Sequence, residues 1–168
     1  MNLQYNAEAD EHILVCLSSA PSNSKIIRTA AKMADAFSGN FTALYIETPG
    51  FASLDETNKK RLKQNMKLAR QLGAKVETVS GDDVPYQIAE FARLSGVTKI
   101  VIGRSAAVKK HLIRKPTLTE KLIAHAPNID IHIIPDGVEV THYKAPKDKK
   151  ASGFILSVHD LLVSVGLL

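Results

Sequence analysis

Tryptophan is absent from this chain, and cysteine occurs once, at Cys16. A lone cysteine excludes a disulfide framework within the chain. Cys16 sits inside an apolar run and reads as a small buried hydrophobe. The stretch Met1 to Glu11 is polar and acidic, without the apolar core of a secretory signal, so the expected location is the cytosol. No G-x-S-x-G elbow, G-K-[ST] loop or pair of opposed carboxylates appears. The six histidines, at 12, 111, 125, 132, 142 and 159, show no H-x-x-x-H or Cys/His spacing for a metal. Asp82-Asp83 reads as a turn and helix start. With no nucleophile beside a positioned base, the expectation is a domain that is not an enzyme and requires no cofactor.

What is present is an ordinary globular composition. The 168 residues suit one domain and can bury a core unaided. The net charge of +5 is concentrated in places. Arg104 to Lys115 holds five Arg/Lys and one His with no acid, and Lys144 to Lys150 holds four lysines against one aspartate. Local clusters suggest a phosphate site and a membrane or partner contact rather than nucleic acid.

The hydrophobic pattern alternates between two periods. His12 to Leu17 is a short apolar run, as in a strand buried on both faces. Ser18 to Ser24 is turn and cap chemistry. A helical pattern follows through Ile26, Ile27, Ala30, Ala31, Met33, Ala34 and Phe37, with Gly39 as its breaker. Asn40 to Ile46 is a second strand. Asp55 or Thr57 caps a basic helix running to about Leu72, and Lys75 to Val79 is a third strand. Pro85 opens a helix that Gly96 stops, Lys99 to Ile102 is a fourth strand, Pro116-Thr117 opens a short helix, and Asp130 to Ile134 is the fifth strand. This order predicts an α/β fold: a five-stranded parallel sheet, doubly wound, in a three-layer sandwich. Residues 1–11 form an extension, 12–137 the domain, and 138–168 a basic linker with an apolar end. Phe154 to Leu168 is shorter than the ~20 residues of a membrane helix, and reads as a partner-packing helix or the opening of a membrane span.

In such sheets ligands bind beyond the carboxyl ends of the strands where the connections diverge. That rule selects Ser18–Ser24 and Gly103–Lys115. The first loop offers Ser18, Ser19, Ser22 and Ser24 ahead of a helix N-terminus, an anion-donor arrangement. In the second, Gly103 allows close backbone approach, Arg104 can fork onto phosphate, and Ser105 adds a hydroxyl.

At these loops residues 12–135 resemble a universal stress protein domain, through His12-Ile-Leu-Val-Cys-Leu17 and Ile-Val-Ile-Gly-Arg-Ser105. The nucleotide-binding members of that family carry G-x2-G-x9-G-[ST]. Here Gly103 takes the first glycine, Ala106 and Pro116 replace the others, and Thr117 takes the hydroxyl position. A closer resemblance is to the cytoplasmic domain of the Kdp potassium-sensor histidine kinases. It rests on Val-Cys-Leu-Ser-Ser19, Ile27-Arg28, Phe41-Thr-Ala-Leu-Tyr45, Ile102-Gly-Arg-Ser105, Leu122 and Ile133-Ile-Pro135. Some members of that group are similar to receptors for cyclic di-AMP, with Ser-x-Ser, twenty residues, then Phe-Thr-Ala-x-Tyr. In this chain Pro21 to Asn40 supply the spacing and Phe41–Tyr45 the second half, while the triplet is Ser18-Ser19-Ala20.

The resemblance implies a regulatory sensing domain with Arg28, Thr42, Ala43, Tyr45 and Thr117 joining the loop residues as ligand contacts. It implies cyclic di-AMP as ligand, with ATP less favoured. The implied partners are the remaining domains of a membrane-bound sensor kinase, on the cytoplasmic face, and a second copy as a homodimer, with no nucleic acid. The alternatives are a stand-alone ATP-binding universal stress protein and a protein-interaction module without nucleotide.

Overall fold

The structure, a computed structural model, describes residues 10–104 and 116–135. Five strands and four helices alternate: β1 (His12–Cys16), α1 (Asn23–Ala36), β2 (Asn40–Glu47), α2 (Glu56–Gln71), β3 (Lys75–Ser80), α3 (Val84–Leu94), β4 (Lys99–Gly103), α4 (Leu118–His125) and β5 (Asp130–Ile134). A 3-10 turn, Pro49–Ser53, lies between β2 and α2, where the sequence suggested only a chain break. All strand pairs are parallel, in the order β3-β2-β1-β4-β5. The predicted doubly wound α/β sandwich is therefore the observed one. Residues 1–9 of the expected extension 1–11, and the expected tail at 138–168, lie outside the described residues.

The two inner strands explain their own composition. Ile13, Leu14 and Val15 of β1 and Ile100, Val101 and Ile102 of β4 are buried because helices cover both sheet faces. Successive side chains alternate between two cores. Ile13, Val15, Ala43 and Val101 meet Ile26, Ile27, Ala30, Leu62 and Ala69 of α1 and α2. Leu14, Leu44, Ile100 and Ile102 meet Ile88, Ala92 and Leu122 of α3 and α4. Each buried Val, Leu or Ile side chain among them contributes about 1.5–3 kcal/mol.

Helix ends follow local chemistry. The Asp55 carboxylate accepts from the Asn58 amide at 2.8 Å, and Asp83 accepts from Tyr86 at 3.3 Å just before Pro85. Gly73 and Gly96 have positive φ, 89° and 65°, as helix-ending residues do. After α1 the left-handed residue is instead Ser38, at φ 51°. Gly39, expected as the breaker, is needed for a different reason: a Cβ there would overlap the Glu11 backbone.

Candidate functional site

A cavity of about 510 Å³ opens at the carboxyl ends of β1 and β4, where α1 and α4 leave toward opposite faces. Its interior is apolar, with Leu44, Ile46, Ile88, Ile102 and Leu118 among its walls. Its mouth carries Ser18, Ser22, Gly103 and Arg104. An apolar chamber with a polar, cationic rim suits a ligand with a flat apolar body and an anionic end.

The β1–α1 loop is held by amides rather than by its own serines. Asn23 is 1% exposed, and its Nδ2 donates to the Cys16 carbonyl at 3.1 Å while its Oδ1 accepts from the Ser18 N–H at 3.0 Å. From α2, Asn65 Nδ2 donates to the Ser18 carbonyl at 2.9 Å, and Arg61 Nη1 donates to the Ser19 carbonyl at 3.1 Å. The Ser18 hydroxyl accepts from the Ala20 N–H at 3.3 Å. Ser22 occupies the N-cap of α1 but its side chain makes no capping bond. These contacts turn two loop carbonyls toward α2, and the first turn of α1 faces the rim without a side-chain cap. Such a helix start favours an anion.

On the other side of the rim, the Arg104 N–H donates to the Ile134 carbonyl at 2.9 Å, so its backbone extends the β4–β5 ladder while the residue itself is exposed. Gly103 is close to α1: a Cβ there would overlap Cδ1 of Ile26, itself part of the cavity wall. Helix packing thus accounts for this glycine, in addition to any ligand approach. The Cys16 thiol also borders the cavity. Although the residue keeps some exposure, desolvation pushes the thiol up to about 12, so it is neutral and a poor nucleophile.

Of the remaining predicted residues, several stand apart from the cavity. Ser24 and Arg28 lie on α1 but do not line it, and Arg28 points to solvent. Thr42 is buried near the amino end of the sheet, with its hydroxyl 2.8 Å from Nε2 of His12, whose Nδ1 donates to the Ser95 carbonyl at 3.0 Å. Ala43 is fully buried against the α1–α2 side. Tyr45 points to that same side, where its ring meets Phe51 edge-on at 6.0 Å. Its neighbours Leu44 and Ile46 reach the cavity instead. Burial and then the nearby Glu47 raise the Tyr45 phenol above its ordinary value. Thr117 is a helix cap: its hydroxyl accepts from the Glu120 N–H at 3.2 Å, and its own N–H donates to Glu120 Oε2 at 2.7 Å. Ser105 lies outside the described residues.

Asn23, Asn65 and Arg61 are contributors that the sequence reading missed. For Asn65 a signal was present, because Leu62, Asn65, Met66 and Ala69 share one helical face. A polar residue on an apolar stripe needs a partner.

The doubly wound five-stranded parallel fold is similar to that of solved universal stress proteins. The universal stress protein of Archaeoglobus fulgidus superposes with a TM-score of 0.55 at 20% identity, over 74% of this chain and 98% of that one. A universal stress protein solved in complex with cAMP gives 0.56 at 14% identity, over 74% and 96% of the two chains. In sequence, the chain is similar over most of its length to a KdpD sensor protein. The sensor protein KdpD of Clostridium acetobutylicum is 33% identical over 162 residues, 92% of this chain. The chain spans 17% of the length of that relative. No protein-family model matches the chain.

Proposed function

We propose that this is the regulatory sensing domain of a membrane-bound potassium-sensor histidine kinase, and that it binds cyclic di-AMP without catalysis. The observation that carries the reading is the cavity itself, an apolar chamber whose rim brings Ser18, Ser22 and Arg104 together from loops far apart in sequence. The apolar chamber suits an adenine, and the cationic, hydroxyl-bearing rim suits a phosphodiester. The similarity to a KdpD sensor protein and the cAMP complex of a fold neighbour support the same class of ligand. Binding would act on the rest of a kinase by favouring one of two conformations, which requires different affinities for the two. The domain would lie on the cytoplasmic face.

Calorimetric titration with cyclic di-AMP, using ATP as control, tests this. The expected result is binding of the cyclic dinucleotide, weakened about tenfold by Arg104→Ala, the loss of one charge-assisted hydrogen bond. Ser18→Ala should weaken it less. Binding of ATP in preference would favour a stand-alone nucleotide-binding protein. Silence toward both would move the function to protein contacts.

A further inference from the structure

The two helical layers differ sharply in charge. On one face of the sheet, α1 carries Lys25, Arg28 and Lys32 against Asp35, and α2 carries Lys59, Lys60, Arg61, Lys63, Lys67 and Arg70 against Glu56. That leaves seven net positive charges on the α1–α2 face. On the opposite face, α3 has Arg93 against Glu90, and α4 has Lys121 against Glu120, for a net of zero.

Within the basic face the charges are aligned. Lys60, Lys63, Lys67 and Arg70 recur every three or four residues, so they form one stripe about 15 Å long. All four are exposed, while Leu62, Asn65 and Ala69 on the other side of α2 are buried. Among the described residues none of the four is in an ion pair; the nearby acids are engaged elsewhere, Asp55 on Asn58, Glu56 on Lys59 and Glu77 on Lys75. On α1, Lys25, Arg28 and Lys32 form a second exposed row of the same spacing. Like charges at these spacings oppose helix formation. Four of them in a row without compensation therefore point to a counter-charge supplied from outside.

We propose that the α1–α2 face docks onto an anionic lipid bilayer. Lysine dominates the seven exposed cations, and lysine is a strongly hydrated point charge suited to a diffuse anionic surface rather than to fixed bidentate recognition. None of the large exposed hydrophobic side chains lies on α2, and Phe37, at the C-cap of α1, has its ring under the Lys99 ammonium at 5.2 Å, so attachment is electrostatic adsorption and not insertion. The same lack of exposed aromatics on α2 removes the base-stacking groups of a nucleic-acid surface. This face is distinct from the cavity rim, and the inference stands whether or not the cavity binds a nucleotide.

The test is co-sedimentation of the full chain with large vesicles, either pure phosphatidylcholine or about one-third phosphatidylserine. Wild type should partition onto the anionic vesicles near physiological salt and release at about 0.5 M salt, where screening is nearly complete. The quadruple variant Lys60→Gln, Lys63→Gln, Lys67→Gln, Arg70→Gln should lose at least about tenfold in partitioning, with a thermal melt no lower than that of wild type. A comparison variant with Lys109, Lys110, Arg114 and Lys115 changed to glutamine removes as many charges from the Arg104–Lys115 cluster and should lose less. Equal partitioning onto pure phosphatidylcholine would overturn the proposal, as would an α2 variant that loses no more than the comparison variant. Retention on duplex DNA with no uptake by anionic vesicles would overturn it in favour of a nucleic-acid surface.

Discussion

The side-chain amide of Asn65, in the middle of α2, donates to the main-chain carbonyl of Ser18 across 2.9 Å and a sequence separation of 47 residues. The bond ties the mouth of the cavity to a helix that does not itself line it. Asn65→Leu keeps the branched outline and removes the donor, leaving the Ser18 carbonyl without this partner. The expected loss is about 1–3 kcal/mol, the cost of stranding a buried polar group. A lowered urea midpoint at constant slope measures it. Asn23→Ala breaks two such bonds and should cost more; equal midpoints for Asn23→Ala and wild type would remove the amides from the account of the loop.

Gly103 and Ile26 form a second coupled pair. A methyl at position 103 meets Cδ1 of Ile26, a side chain that is 3% exposed. Gly103→Ala should therefore destabilise by about 1–3 kcal/mol through overpacking. Ile26 borders the cavity, so a shift of its Cδ1 into that space would also shrink the chamber. Ile26→Val removes the colliding carbon. The double variant Gly103→Ala, Ile26→Val should regain most of the loss, giving a non-zero coupling in a double-mutant cycle. Additive losses would show that the two positions do not collide.

The contrast between these pairs and the sheet shows what was legible beforehand. Strand and helix order follow from local periodicity, and Asp55, Pro85, Gly73 and Gly96 act as such residues do anywhere. That Ser18, Ser22, Gly103 and Arg104 border the cavity at the switch point followed from a topological rule. Tyr45 stands apart from the cavity for a finer reason. Which of two adjacent β2 residues faces the chamber depends on the face each strand presents, and Leu44 and Ile46 take that face. Thr117 has the hydroxyl of a phosphate motif, yet its capping box with Glu120 satisfies a purely helical need. Ser38 rather than Gly39 took the left-handed position because Gly39 had to pass close to Glu11. These are tertiary contacts, and a local window does not contain them.

Glu11 anchors the amino end of the sheet. Its carboxylate accepts from the Thr98 hydroxyl and pairs with Lys99 at 3.3 Å, while Lys99 also reaches Asp130 at 3.1 Å. The Thr98 hydrogen bond, and then Lys99, hold the Glu11 carboxyl below its ordinary value. A carboxylate depressed in the folded state stabilises the fold above its unfolded pKa. That contribution is lost as pH falls through the depressed value. Stability should therefore decline on acidification below the ordinary glutamate range. Thr98→Val should bring the Glu11 titration, followed by side-chain carboxyl NMR, back up toward ordinary values. An unmoved titration would assign the depression to Lys99 alone.

Cys16 predicts the opposite limb. Desolvation raises its thiol from 9.0 to about 12, because the folded environment disfavours the thiolate. An acid whose folded pKa lies above its unfolded one holds its proton more tightly when folded. The resulting stability is complete below the unfolded value and drains away from about pH 9 up to the folded value. The wild-type stability curve should therefore fall through that alkaline window, and Cys16→Ala should flatten the fall. The same neutrality makes the native thiol slow toward iodoacetamide at pH 8, with labelling accelerated by denaturant. Since the sulfur borders the cavity, a bound nucleotide should slow labelling further. Rapid labelling of the native chain, indifferent to nucleotide, would place the thiolate in water and detach Cys16 from the chamber wall.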